Sequence, residues 1–326
     1  MAVAKVNEAV NSTASSTAFR LGDIGKKYGI FLFLMAAILL TTALTPAFLS
    51  PANIANMLMQ FAPLAIVVIG QTFVILVRGL DLSVASVMAT AAVIATSFSG
   101  QDSSALVILL ACVAMGAATG LANGLLVTKR NVSPFLATLA TMVVLQGFRF
   151  AATQGAPSGN VPPVFRALGS ATFYGVPYNL MVMVVLAIAF TVLLHRAAFG
   201  RRVYITGGNP ITAHLVGIAA DRVTMTCYII CGAMAAMAGL VLSGFVGVVD
   251  NFVGRGFELD SIVAAVMGGV ALSGGRGTIP GALAGAAILV VLSNAVVMIG
   301  MPVQLQIIVK GVVIIAAATL YVRTAK

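Results

Sequence analysis

Apolar runs of about 17 to 25 residues recur along this chain, and each is long enough to cross the hydrocarbon core of a bilayer. A soluble domain of 326 residues would not carry so many. The fold class is therefore an all-α membrane protein. Ten spans are expected, at about Tyr28–Leu44, Ile54–Val77, Leu82–Phe98, Ser104–Val127, Pro134–Ala152, Asn179–His195, Val223–Val246, Glu258–Leu272, Pro280–Ile299 and Val303–Val322. Composition agrees: 60% of residues are hydrophobic and 8% are charged, against about a quarter charged in soluble domains.

The net charge of +10 is a topological signal and not a nucleic-acid footprint, because the basic residues sit between spans. With the N-terminus in the cytoplasm, the inside segments hold Lys5, Arg20, Lys26, Lys27, Arg78, Lys129, Arg130, Arg196, Arg201, Arg202, Arg222, Arg276, Arg323 and Lys326. The outside keeps only Arg149, Arg166 and Arg255. Both termini are thus expected inside. Residues 1–27 form a polar, Ser/Thr/Ala-rich tail, expected to be disordered. No small-residue cleavage site follows before Pro46, so the first span is expected to stay uncleaved.

Two internal matches suggest an inverted repeat. Gly79-Leu80-Asp81-Leu82-Ser83 opens the third span and Gly256-Phe257-Glu258-Leu259-Asp260 opens the eighth. Spans five apart run in opposite directions, as inverted-topology transporter repeats do. Gly116, Gly120 and Gly124 mark one face of the fourth span, and Gly277, Gly281 and Gly285 the start of the ninth. Such spacing lets helices pack closely in lipid.

No catalytic constellation is present. Gly274-Gly275-Arg276-Gly277-Thr278 is glycine-rich but lacks the lysine and spacing of a nucleotide-binding loop. Cys112, Cys227 and Cys231 lie in apolar runs, and with His195 and His214 they match no metal-ligand spacing. The chain is not expected to be an enzyme or to hold a cofactor. Ionisable groups near membrane depth usually face a cavity or a partner, which makes Asp81, Glu258, Asp260 and Lys310 candidates for a translocation path. Gln60, Gln71, Ser83 and Asn294 join them as polar residues inside or at the ends of spans, although interhelical hydrogen bonding accounts for such residues equally well. Asp81 can also serve as a helix N-cap.

Two polar segments stand out. Thr153 to Tyr178 contains Pro157, Pro162, Pro163 and Pro177, and reads as a compact, irregular outer segment, either a connector or a docking surface. Arg196 to Arg222 carries four arginines and a Gly207-Gly208 turn. Within it Asn209 fits an N-cap, Pro210 the first helical position and Gly217 the residue after the helix. The intervening Ile211, Thr212, Ala213, His214, Leu215 and Val216 make a short two-faced helix. It lies against headgroups or forms a peg seated in a partner.

Gly207-Gly208-Asn209-Pro210-Ile211-Thr212-Ala213-His214-Leu215-Val216-Gly217-Ile218 resembles the cytoplasmic loop of ribose-type permeases of bacterial ATP-binding cassette importers, a family that also includes branched-chain amino acid permeases. So do Gly79 to Val84, Val132 to Leu139, Gly256 to Gly269 and Leu272 to Thr278. The resemblance runs from about Leu44 to the C-terminus. It implies a permease domain over 28–326, importing a monosaccharide by alternating access, usually as a homodimer. The partners it implies are a cytoplasmic ATPase that holds ATP and Mg, and a periplasmic sugar-binding protein. The Pro210–Val216 helix would be the coupling helix. Two positions depart from the family pattern: Gln146 stands where an arginine is common, and Ala85 replaces a usual glycine. The rival readings are the same machinery with a branched-chain amino acid, nucleoside or sugar-like signal as cargo, and a secondary carrier without an ATPase.

Overall fold

The computed structural model describes residues 31–312 except 33, 99, 157, 158, 248, 303, 306, 309 and 310. The N-terminal tail, most of the tenth expected span and Lys310 lie outside the described residues. Helices dominate: α1 (Leu34–Leu44), α2 (Pro51–Leu76), α3 (Val84–Thr96), α4 (Ala105–Lys129), α5 (Pro134–Thr153), α6 (Pro163–Ser170), α7 (Tyr178–His195), α8 (Ala198–Gly208), α9 (Pro210–Leu215), α10 (Ala220–Val246), α11 (Phe257–Met267) and α12 (Ile279–Met298). Strands β1 (Thr172–Phe173) and β2 (Val176–Pro177) form one antiparallel hairpin.

Six of these helices are long and apolar enough to span a membrane: α2, α4, α5, α7, α10 and α12. Their burial sorts them. In its most apolar stretch α2 is 78% buried, whereas α5 and α7 are each 17% buried. Helix α2 is thus the central post, packed against α7, α10, α11 and α12, and α5 and α7 present apolar faces outward.

A proline interrupts that post. Pro63 has no N–H to give to the carbonyl four residues back, which belongs to Met59. Asn179, at the start of α7, supplies the missing donor: its Nδ2 lies 3.0 Å from the Met59 carbonyl. In a lipid environment, where water cannot serve, such a substitute partner is what permits a proline within a span.

Lipid provides no hydrophobic drive between helices, so close contact must hold them. The α4 glycines do this against α10. A Cβ on Gly116 would lie 2.3 Å from the Gly232 carbonyl oxygen, and one on Gly120 would lie 2.1 Å from that of Tyr228. The α11–α12 pair is similar, with Gly281 against Gly268 and Gly285 against Ala264. Gly277 does not belong to that face, contrary to the expected triad. It precedes α12 with φ +142° and packs on Val270. Lys129 at the end of α4 pairs with Asp221 in the first turn of α10 at 2.7 Å. Both side chains are well exposed, so the pair is worth at most about 1 kcal/mol.

Two expected spans are short. Helix α3 has 13 residues and α11 has 11, which gives lengths of about 20 and 16 Å against a core of about 30 Å. The first motif, Gly79–Ser83, is non-helical backbone ahead of α3, whereas in the second only Gly256 precedes α11 and Phe257–Asp260 form its first turn.

The Thr153–Tyr178 segment is more ordered than its prolines suggest. Pro162 and Pro163 start α6 at positions where a missing N–H is harmless. Gly169 of α6 packs on the Gly244–Phe245 backbone of α10, too tightly for any side chain. The hairpin after α6 turns at Tyr174 and Gly175, both with positive φ.

Candidate functional site

The first motif is an unwound stretch buried in protein. After α2, the chain turns at Arg78 and runs through Gly79–Ser83 before α3 begins. Backbone of this kind at membrane depth must find partners in the protein, and side chains from three helices provide them. Gln71, with its amide suitably oriented, meets both the N–H and the carbonyl of Asp81, at 3.2 and 3.3 Å. The Leu80 carbonyl accepts from Thr138 Oγ1 at 3.3 Å and from Tyr228 Oη at 3.4 Å. Gly79 leaves no room for a side chain, since a Cβ would lie 2.6 Å from the Tyr228 hydroxyl.

Asp81 sits at the centre of this stretch and is fully buried. Its Oδ1 accepts from Ser83 N at 2.9 Å and Ser83 Oγ at 2.5 Å. Asn123 Nδ2 donates to Ser83 Oγ at 2.9 Å, and Thr141 Oγ1 donates to Asn123 Oδ1 at 2.7 Å. Asp81 is therefore not the N-cap; Ser83 occupies that place, and Asp81 takes the Ser83 N–H from two residues upstream. The aspartate is also not at a wet span end, as its sequence position suggests. Gln71, Asp81 and Ser83 thus form one buried polar knot.

The other path candidates separate into two cavities. Gln60, Asp260 and Asn294 line a cavity of about 480 Å³ between α2, α10, α11 and α12. Asn294 and Asn53 exchange two amide hydrogen bonds of 2.9 Å at its edge. Glu258 instead lines a cavity of about 290 Å³ with Ser86, Gln146, Arg149, Asn251 and Arg255. Arg149 and Asn251 went unnoticed as site residues because neither falls in a motif. Among the described residues no cluster of His, Cys, Asp or Glu could hold a metal ion, and the three cysteines are free and buried.

The arginine-rich segment folds as two helices. Gly207 and Gly208 do not make the expected turn but end α8, and Gly207 is needed for contact. A Cβ there would lie 1.7 Å from the Leu76 carbonyl oxygen. Arg78 holds this helix end, with Nε donating to the Gly207 carbonyl at 2.7 Å and Nη2 donating to that of Gly208. A guanidinium at a helix C-terminus also meets the negative end of the helix dipole. Gly275 N donates to the Leu76 carbonyl at 2.9 Å, and Tyr204 Oη to that of Gly277 at 2.7 Å. Burial pushes the Tyr204 phenol above its ordinary pKa, so it remains a donor.

Helix α9 is capped at both ends. The Asn209 side chain accepts from Ile211 N at 2.9 Å and Thr212 N at 3.3 Å, and Pro210 takes the first helical position. The helix ends at Leu215, one residue before the expected end, and Val216 is the C-cap. Gly217, at φ +77°, closes a Schellman turn, with Gly217 N donating to His214 O and Ile218 N donating to Ala213 O. Ala213 is buried, while Ile211, Val216 and Leu215 are 72%, 63% and 82% exposed. Arg201, Arg202 and Arg222 line a cleft beside it.

Compared with known proteins, residues 53–318 match the model of the family described as branched-chain amino acid transport system / permease component. The chain belongs to this family. Like its relatives it is a multi-pass inner-membrane protein. It is 40% identical over 299 residues to the ribose import permease protein of Bacillus subtilis (strain 168), covering 90% of this chain and 92% of that one. It is 33% identical to the galactose/methyl galactoside import permease protein of Escherichia coli (strain K12), covering 90% and 94%. It is 31% identical to the L-arabinose ABC transporter permease protein of Azospirillum brasilense, covering 88% and 84%. No solved structure matches the chain.

Proposed function

We propose that this chain is the membrane permease of an ATP-driven importer and carries a neutral monosaccharide into the cytoplasm by alternating access. Its similarity to permeases named for ribose, galactose and L-arabinose supports a sugar cargo over the amino acids of the family description. These three relatives, each aligned over 84–94% of its own length, are named for different sugars. The chain supplies the path and no hydrolytic chemistry; ATP and Mg belong to a partner ATPase.

The observation that carries the reading is α9: two large apolar side chains, Ile211 and Leu215, exposed on a helix of six residues, and a third, Val216, exposed at its C-cap. A helix this short is marginal alone, and the rigid mounting through Arg78 suits a peg that takes load. On this reading α9 is the coupling helix, seated on the ATPase, and the arginine-lined cleft beside it meets acidic groups of that partner. On this reading α8–α9 and both termini lie inside, with ten spans in all, which the distribution of the basic residues supports. The short helices α3 and α11, with their shared motif, are the broken spans of an inverted repeat. The outer segment of α6 and the hairpin, where Tyr174 is 92% exposed, faces the sugar-binding protein. A second copy of the chain completes the pore.

The test is a reconstituted complex with its ATPase and binding protein in proteoliposomes. Wild type takes up a monosaccharide only with ATP. The double variant His214→Glu/Leu215→Glu inserts normally but loses uptake, because charge cannot be buried against an apolar groove. Normal uptake by that variant rules out α9 as the coupling element, and uptake without any ATPase rules out the importer reading itself.

A further inference from the structure

We propose that the 290 Å³ cavity between α3, α5, α11 and the loop ahead of α11 is a hydroxyl-recognising subsite for the monosaccharide inside the permease. The inference rests on the sugar-import reading and adds to it a location and a set of contacts.

Arg149 is the first observation. It is 4% exposed, and its guanidinium donates to Ser86 O at 2.9 Å, Thr90 Oγ1 at 3.3 Å and Asn251 O at 3.2 Å. All three acceptors are neutral, and no described carboxylate stands within ion-pair distance. A buried cation is normally paired. Here the charge is kept in a cavity wall instead.

Unspent hydrogen-bonding capacity is the second. Arg149 Nε, a donor, and Asn251 Oδ1, an acceptor, are both buried without a partner among the described residues. Both residues line the same cavity, as do Gln146, Arg255 and Glu258. One Glu258 oxygen is already held by Gly256 N at 2.8 Å, which fixes the carboxylate in place. An anion would use only the donors of such a wall and a cation only its acceptors. A hydroxyl both donates and accepts, so a polyhydroxylated neutral ligand matches the mixture. Met142 and Val253 add apolar surface for the C–H face of a ring. The volume falls at the small end of ligand sites, which start at about 300 Å³.

Placement agrees. The end of α4 that leads into α5 is paired through Lys129 with Asp221, in the first turn of the helix that follows α9, and Arg149 lies near the other end of α5, so the cavity sits at the end of α5 remote from that pair. It lies between the two short helices α3 and α11, where broken-helix transporters hold their substrates.

Cysteine protection tests this directly. The three native cysteines are all buried, so Gln146→Cys introduces the reactive thiol. The full complex in nanodiscs is treated with a polar maleimide, with and without ribose, L-arabinose or galactose, using betaine as the osmotic control. Labelling slows by about threefold once a recognised sugar stands at twice its Kd, and Glu258→Gln raises the KM for uptake by about tenfold, as loss of one charged hydrogen bond predicts. Arg255→Cys, on the exposed rim, repeats the measurement should Gln146→Cys not assemble. Sugar uptake by wild type with labelling that no sugar slows, at either position, overturns the subsite and leaves the import reading standing. Absence of uptake of any sugar by wild type overturns the import reading, and the subsite with it.

Discussion

Arg78 Nε donates to the carbonyl of Gly207 across 2.7 Å, and this bond ties the end of α2 to the end of α8. Arg78 adopts φ +65° to do so, a left-handed conformation that a non-glycine residue holds at a cost of order 1–3 kcal/mol. The neighbouring Gly275–Leu76 and Tyr204–Gly277 bonds make the junction a three-way one. The peg α9 and the unwound stretch at Asp81 both branch from it.

Arg78→Ala removes both guanidinium bonds while keeping the unfavourable φ. The detergent-solubilised protein should lose about 1–2 kcal/mol of stability, read as a lower thermal midpoint. Under the proposed function, sugar-stimulated ATP hydrolysis should fall less than uptake, because α9 still docks but is no longer anchored. Arg78→Lys should not restore uptake, since an ammonium lacks the forked geometry. Full activity in the lysine variant would show that only charge matters at this position.

The Met59 carbonyl offers a double-mutant cycle. Asn179→Ala leaves that oxygen buried and unpaired, at a cost of about 1–3 kcal/mol. In a Pro63→Ala background α2 can make its own bond, so the Asn179 change should cost about 1 kcal/mol less there. Additive thermal shifts would mean that Asn179 does not compensate for the proline.

The α4–α10 contact predicts a sharp contrast among glycines. Gly120→Ala places a methyl group 2.1 Å from a backbone oxygen, so the helices must separate and folded yield should collapse. Gly147→Ala, in α5, meets nothing within 4 Å and should be neutral or slightly stabilising. Size-exclusion profiles of the two variants make the comparison.

Asn209→Ala removes the side-chain cap of α9 and should cost about 1 kcal/mol locally. Asn209→Asp keeps an oxygen acceptor and should retain function. ATPase co-purification should weaken in the first and persist in the second. Equal retention in both would show that the partner itself orders α9.

What the chain does was legible where the signal is local. Hydropathy located α2, α4, α5, α7, α10 and α12 to within a few residues, because each helix satisfies its backbone from its own sequence. Asn209, Pro210 and Gly217 specify α9 because a cap involves only residues within one turn. The Thr153–Tyr178 segment was harder: its prolines read as loop, yet two of them begin a helix. Gly207 and Gly208 misled for a related reason, being glycine for contact with Leu76 and not for a turn.

By itself, then, the sequence determined a polytopic helical permease and the form of its exposed peg. Only the tertiary structure decided that Asp81 is buried in a knot, that Gln60, Asp260 and Asn294 share one cavity, and that Glu258 shares another with Arg149. The physical reason is the origin of the partners. Backbone groups freed by Pro63 and by the Gly79–Ser83 break are satisfied from other helices, Met59 by Asn179 and Leu80 by Thr138 and Tyr228. No pattern confined to one span carries that pairing.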